Sequence, residues 1–347
     1  MPLITRVGHA YDPDAFHALA ANPPANIQAI DELLSTLAYT QRDLGFAVFE
    51  QLTPNLGTAI SRNPPAESQK IFRTWAFLLG YAPRFLRGRH APDATARRLA
   101  KKFVRTLDSD QFAATLSHPH TDLTWQNFCG FIEFMKEIDP VSFKAIANRM
   151  DVAQLTTEFE RSLPTPSRCH LYAVDILREA RSDEAQALLE RFEERYAAID
   201  PFLAYMAPEL TIRLLRRGLP LDLGLHSHDW KFAAILVDSI AVHDPKTACE
   251  LAVANRPGFI AGLSSKATDP FDNLSAWVHT CDEHAPGLVD EVIRQLSAGA
   301  VAAWAPELRK RNRKHEIAPL VQRATAFRGP AADEAYELIR RFPSLRR

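Results

Sequence analysis

The stretch His118-Pro119-His120-Thr121-Asp122 offers two imidazoles and a carboxylate at alternating positions, the residue types of a metal site. Immediately downstream lies a strongly apolar run, so Thr121 or Asp122 also suits the cap of a helix start, and the cap is the expected role. A second cluster is His279-Thr280-Cys281-Asp282-Glu283-His284. On a helix only Cys281 and His284 share a face, and no second ligand pair stands nearby to complete a four-ligand zinc site. In the third, His226-Ser227-His228-Asp229, Ser227 as an N-cap and Asp229 at the positive end of the following helix account for the pattern. An enzyme built on a noncanonical site around His118, His120 and Asp122 remains an alternative, which elemental analysis of the purified protein would check.

Phosphate-binding loops are excluded more firmly. No glycine is followed by lysine and no two glycines stand two apart, so neither the phosphate-binding P-loop nor the dinucleotide fingerprint can be present. GxSxG and HExxH are missing too. The expectation is a chain with no catalytic residue, no cofactor and no metal.

The basic blocks are the most informative polar features. Arg97, Arg98, Lys101, Lys102 and Arg105 fall on one arc of a helix, with Leu99, Ala100, Phe103 and Leu107 on the other. Arg84, Arg87 and Arg89 precede them, and Arg309, Lys310, Arg311, Arg313, Lys314 and His315 form a denser block. Net charge is only −1, so these blocks are offset by acidic runs such as residues 179–200 and the chain is not a globally basic nucleic-acid binder. A solvated outer face accounts for them most simply, and they are otherwise the candidate contacts to an acidic protein partner or to phosphates. No aromatic residues interleave with them for base stacking, which favours the protein partner.

The elements that must position these residues are helical. The 347 residues include 51 Ala and 39 Leu against 31 Val plus Ile, with 13 Gly, a balance that favours helix over sheet. Asp-Pro recurs at Asp12-Pro13, Asp139-Pro140, Asp200-Pro201, Asp244-Pro245 and Asp269-Pro270, where Asp can cap a first turn and Pro gives up no needed N–H. Residues 139–161, 244–264 and 269–297 each read as two short helices, joined near Asp151, Arg256-Pro257-Gly258 and Ala285-Pro286-Gly287. Ile27, Ile30, Leu34 and Leu37 form one apolar stripe, and residues 123–138 are apolar nearly all round, as a central buried helix would be. The expected fold is all-α: irregular helical hairpins stacked as an α-solenoid, with an N-terminal region over 1–162 and a C-terminal repeat region over 163–347 divided at the proline-rich 162–167 stretch, or one continuous array that turns there.

The segments IDPVSFKAIA (138–147) and WVHTCDEHAPGLVDEVI (277–293) resemble the degenerate helical repeats that serve as sensor arms in bacterial STAND-type ATPases. More loosely, the chain from 139 to about 327 is similar to HEAT or armadillo arrays. Without the ATPase module, the resemblance implies partner sensing and no nucleotide hydrolysis. The opening Met1–Arg6 lacks the apolar core of a secretory leader, and no run of about 18 apolar residues occurs. The four cysteines, Cys129, Cys169, Cys249 and Cys281, are scattered as buried free thiols would be. A bacterial cytoplasmic interaction protein is therefore expected, binding a protein partner, with no membrane; a nucleic-acid-associated solenoid using residues 84–105 and 309–314 is the alternative.

Overall fold

Ala, Leu, Arg and Glu dominate the periodic segments, and each periodic segment of the chain that is described is helical. The computed structural model describes residues 30, 32–34, 37, 42–66, 68, 94–221, 230–264, 274–309 and 314–346. Among these residues there is no strand, only one isolated parallel bridge between Ile199 and Leu221. The chain divides into two compact units, residues 1–191 and 192–347.

The first unit contains α1 (Arg42–Arg62), α2 (Ala94–Val104), α3 (Ser109–Leu116), α4 (Leu123–Ile138), α5 (Pro140–Arg149), α6 (Val152–Ser162), α7 (Arg168–Arg178) and α8 (Ser182–Arg191). Its centre is α4, as the all-round apolar pattern requires: Trp125, Phe128, Phe131, Ile132 and Met135 are fully buried. Phe112 of α3 sits 5.4 Å from Phe128 and 6.1 Å from Phe131, ring centre to ring centre. Ile30, Leu34 and Leu37 are buried as their stripe predicts; Ile27 lies outside the described residues.

The second unit contains α9 (Pro201–Met206), α10 (Pro208–Arg216), α11 (Trp230–Ala241), α12 (Pro245–Ala254), α13 (Arg256–Ser264), α14 (Leu274–His284), α15 (Leu288–Arg294), α16 (Ala305–Leu308), α17 (Lys314–Ala324) and α18 (Pro330–Arg341). Trp230, Phe259 and Trp277 meet at its core. The indole N–H of Trp304 is satisfied by the carbonyl of Leu263 at 2.9 Å. No helix among the described residues is long and apolar enough to cross a membrane.

Punctuation follows the sequence closely. Asp200 caps α9 through the amide of Phe202 at 2.7 Å, and Asp244 caps α12 through Thr247 at 3.1 Å, each with Pro in the first turn. Asp151 caps α6 through Gln154, which places the break inside 139–161 where it was expected. Gly287, at φ +87°, makes the α14–α15 turn, a conformation that L side chains rarely adopt. Asp139 also stands at a helix start but does not cap it. It flanks the end of α4 and the start of α5 at once, and its carboxylate accepts no amide of that turn. Asp12 and Asp269 lie outside the described residues.

The boundary differs from expectation. The division falls after Arg191, and the 162–167 stretch is an internal turn. The reason is packing: α7 lies against α4, α5 and α6, and α8 against α7, so residues 168–191 complete the first core.

Candidate interaction surface

The exposed face of α2 is built by a simple division of labour. Ala96, Leu99, Ala100, Phe103 and Val104 point inward, and α2 packs on α1 and α4. Phe103 meets Phe49 of α1 with ring centres 5.8 Å apart. The 3.6-residue period then leaves Arg97, Arg98, Lys101 and Lys102 together on the outside, with Arg105 in the turn that follows.

Two carboxylates approach this ridge. Arg98 Nη1 and Lys102 Nζ both donate to the same oxygen, Oε1 of Glu50, at 3.1 Å each. These bonds hold the Glu50 carboxyl below its ordinary value. Arg105 Nε donates to Oδ2 of Asp139 at 2.9 Å, and the Ser142 hydroxyl adds a longer bond at 3.3 Å. Asp139 is only 1% exposed, so this pair is anchored on one side while the Arg105 side chain stays 61% exposed. Arg97 and Lys101 are exposed and form no ion pair among the described residues. Arg309 follows α16 and is exposed, and Lys314 opens α17, half-buried, both in the second unit. Lys310, Arg311 and Arg313 lie outside the described residues, as do Arg84, Arg87 and Arg89.

In the two histidine clusters that are described, the side chains turn to separate neighbours. Asp122 caps α4 through the amide of Trp125 at 2.6 Å, as the cap reading expects. His118 turns to Gln154 Nε2 at 3.2 Å and Glu158 Oε1 at 3.5 Å, while His120 is exposed. Cys281 is buried, His284 faces Asp238 of α11 at 3.2 Å, and His279 faces Glu283. Among the described residues no three His, Cys, Asp or Glu side chains converge on a point that could hold a metal ion. Residues 226–229 lie outside those residues. Burial pushes the thiols of Cys129, Cys169 and Cys281 up, Cys169 to about 11.

Some polar features escaped sequence reasoning. The hydroxyl of Ser167, at the start of α7, lies 2.7 Å from Nδ1 of His170 instead of capping the helix amides. Burial lowers the His170 value against the opposing charge of Glu158. Asp175, buried on α7, has its value raised by burial despite Arg178 at 2.6 Å. The available signals were a Ser three residues before a His at a helix start and an Asp inside an apolar run. In the second unit, a shallow groove of about 270 Å³ is lined by Glu209, Ile212, Arg213, Arg216, His243 and Asp244. Its charges are largely paired: Arg216 with Asp244 at 3.0 Å, and Arg213 with Glu193 at 2.9 Å.

The ridge makes a pH prediction. Burial pushes the Asp139 carboxyl up, but the Arg105 bond, the charges of Lys101 and Arg105 and the Ser142 hydroxyl outweigh it and hold the group below its ordinary value. A folded-state value below the unfolded one contributes stability above the unfolded value and loses it as pH falls through the folded one. Asp139→Asn should therefore be less stable than wild type at pH 7, with the gap closing as pH falls from about 5 toward 2. Denaturant titrations at both ends of that range check it; an unchanged gap would show that the carboxylate charge is not what holds Arg105.

Compared with protein-family models, curated proteins and solved structures, the chain matches none.

Proposed function

We propose that the chain is a non-enzymatic interaction protein: helical hairpins stacked as an α-solenoid that binds another protein along their outer face. The observation that carries this reading is the locality of the packing. Within each unit, the helices that pack most extensively lie within three places of one another in the chain, as in α3 on α5, α7 on α8, α9 on α11 and α11 on α14. In a repeat array each added hairpin buries one face on its predecessor and adds one exposed row, which is how such arrays make long binding surfaces. The resemblance to sensor arms points the same way, and free thiols, with Cys129, Cys169 and Cys281 buried and Cys249 half-buried, suit the reducing cytoplasm of a bacterium.

A second reading, binding to a nucleic-acid backbone through the basic blocks, is favoured by the exposed Arg97 and Lys101. Against it, three of the five ridge cations already hold carboxylates of the chain itself. Crosslinking of the tagged full chain in nuclease-treated host extract separates the two. The expected result is one protein partner, identified by mass spectrometry and reconstituted as a complex from two purified chains. Loss of all binding on nuclease treatment, with salt-steep binding to arbitrary duplexes, would instead establish the second reading.

A further inference from the structure

We propose that the ridge formed by Arg97, Arg98, Lys101, Lys102 and Arg105 docks an acidic segment of a protein partner, one whose carboxylates alternate with small apolar side chains. The proposal rests on the reading of the chain as a protein-binding array and names the chemistry of its partner.

Charge balance is the first argument. Five cations share two carboxylates, Glu50 and Asp139, and Arg98 and Lys102 converge on a single oxygen of Glu50. Cations therefore outnumber the anions that reach them. Arg97 and Lys101 form a row one helical turn long, about 6 Å, beside the row that Glu50 occupies. A partner helix with acidic residues four apart presents carboxylates at that same interval.

The mode of recognition is the second. The ridge already holds carboxylates at hydrogen-bond distance, through Lys Nζ, Arg Nη1 and Arg Nε. What Glu50 does for one row, an incoming Glu or Asp can do for the other.

An apolar neighbour supplies the third argument and sets a protein apart from a phosphodiester. Val141 is 77% exposed, two residues beyond the carboxylate that Arg105 holds, on the first turn of α5. Lys144, also exposed, follows one turn later. Exposed ion pairs contribute little affinity and mainly steer encounter, so a docked partner needs apolar contact as well. Val141 and the aliphatic stems of the ridge cations provide it. A phosphate backbone would have no use for Val141.

The experiment uses the full chain and three fluorescent probes at about 0.15 M salt. One is a 20-residue helical peptide with Glu at every fourth position among Ala and Leu. The second replaces each Glu by Gln, and the third is a 20-base-pair duplex of arbitrary sequence. The Glu peptide should bind at least tenfold more tightly than the Gln peptide. Arg97→Glu with Lys101→Glu should weaken it about tenfold more, and Val141→Ser should weaken it several-fold while leaving duplex binding unchanged. All the replaced side chains are exposed, so circular dichroism should match wild type, with at most a small drop in melting temperature from the loss of the Lys101 charge near Asp139. Tighter binding of the duplex, with a salt slope that falls by about one for each cation reversed, would overturn the proposal in favour of phosphates. Equal binding of the two peptides, or of neither, would overturn it outright. So would salt-sensitive self-association of the chain that the same reversals abolish, since the occupant would then be a second copy. If a crosslinked partner still binds the Arg97→Glu, Lys101→Glu variant as it binds wild type, the ridge fails as the docking surface while the interaction reading stands.

Discussion

Replacing Trp277 by alanine is expected to cost about 3–5 kcal/mol and to lower the unfolding midpoint of the second unit. Trp277, on α14, is 1% exposed. Its ring lies 6.3 Å from that of Trp230 on α11, nearly parallel at 22°, and 6.2 Å from Phe259 on α13, edge-on at 77°. Trp230 and Phe259 close the triangle at 5.1 Å. Three helices thus share one aromatic cluster, and such pairs add to the burial of their area. Truncation removes the corner where α14 meets the other two, and helices held by their other contacts collapse only partly into the void. A second feature separates packing from polarity. The indole Nε1 of Trp277 is buried without an acceptor among the described residues, so its N–H is desolvated without return. Trp277→Phe discards that N–H along with part of the volume, and should cost well under half as much as the alanine change. Denaturant unfolding of the two variants gives both numbers. An alanine variant within about 1 kcal/mol of wild type would mean that the three rings do not pack as described.

Local signals survived the passage from sequence to structure because their causes are local. An Asp before a Pro needs only the next three residues to make a helix start, and Asp200 and Asp244 behave accordingly. The three hairpin breaks near 151, 256 and 286 were readable for the same reason. Asp139 broke the pattern because its partner is Arg105, 34 residues earlier, which no local rule can see. The same limit explains the ridge. Its amphipathic arc was plain from spacing, but Glu50 reaches Arg98 and Lys102 across 48 and 52 residues, so the partial neutralisation was invisible. The division into units was misplaced for a related reason. The two prolines at 164 and 166 announce a turn, and a turn is a local event, whereas a boundary is set by which cores α7 and α8 join. Ser167 and His170 stand three residues apart, within local reach, yet a serine at a helix start is ordinarily a cap. Only burial of the imidazole diverts the hydroxyl.

Gly57→Ala is expected to destabilise the first unit by about 1–3 kcal/mol, against the direction that helix propensity dictates. Gly57 lies inside α1, where exchanging Gly for Ala in isolation would gain up to about 1 kcal/mol. Tertiary approach reverses the sign. A Cβ on residue 57 would stand 2.0 Å from Oγ1 of Thr106, 2.7 Å from its Cβ and 2.9 Å from its carbonyl oxygen. Rotating the Thr106 hydroxyl away relieves only the first of these, and that hydroxyl is held by the carbonyl of Phe103 at 2.7 Å. The other two contacts involve the Thr106 branch point and backbone, so α1 and the end of α2 must separate. Separation also pulls on the Ser61 hydroxyl, which accepts the amide of Asp108 at 2.8 Å. It shifts Glu50 relative to Arg98 and Lys102 as well, so the ridge should loosen together with the core. Thr106→Gly in the Gly57→Ala background removes the two side-chain contacts and should recover a measurable part of the loss, read as a coupling energy in a double-mutant cycle. A Gly57→Ala protein more stable than wild type would show that propensity decides here, and that α1 and the turn after α2 do not approach so closely.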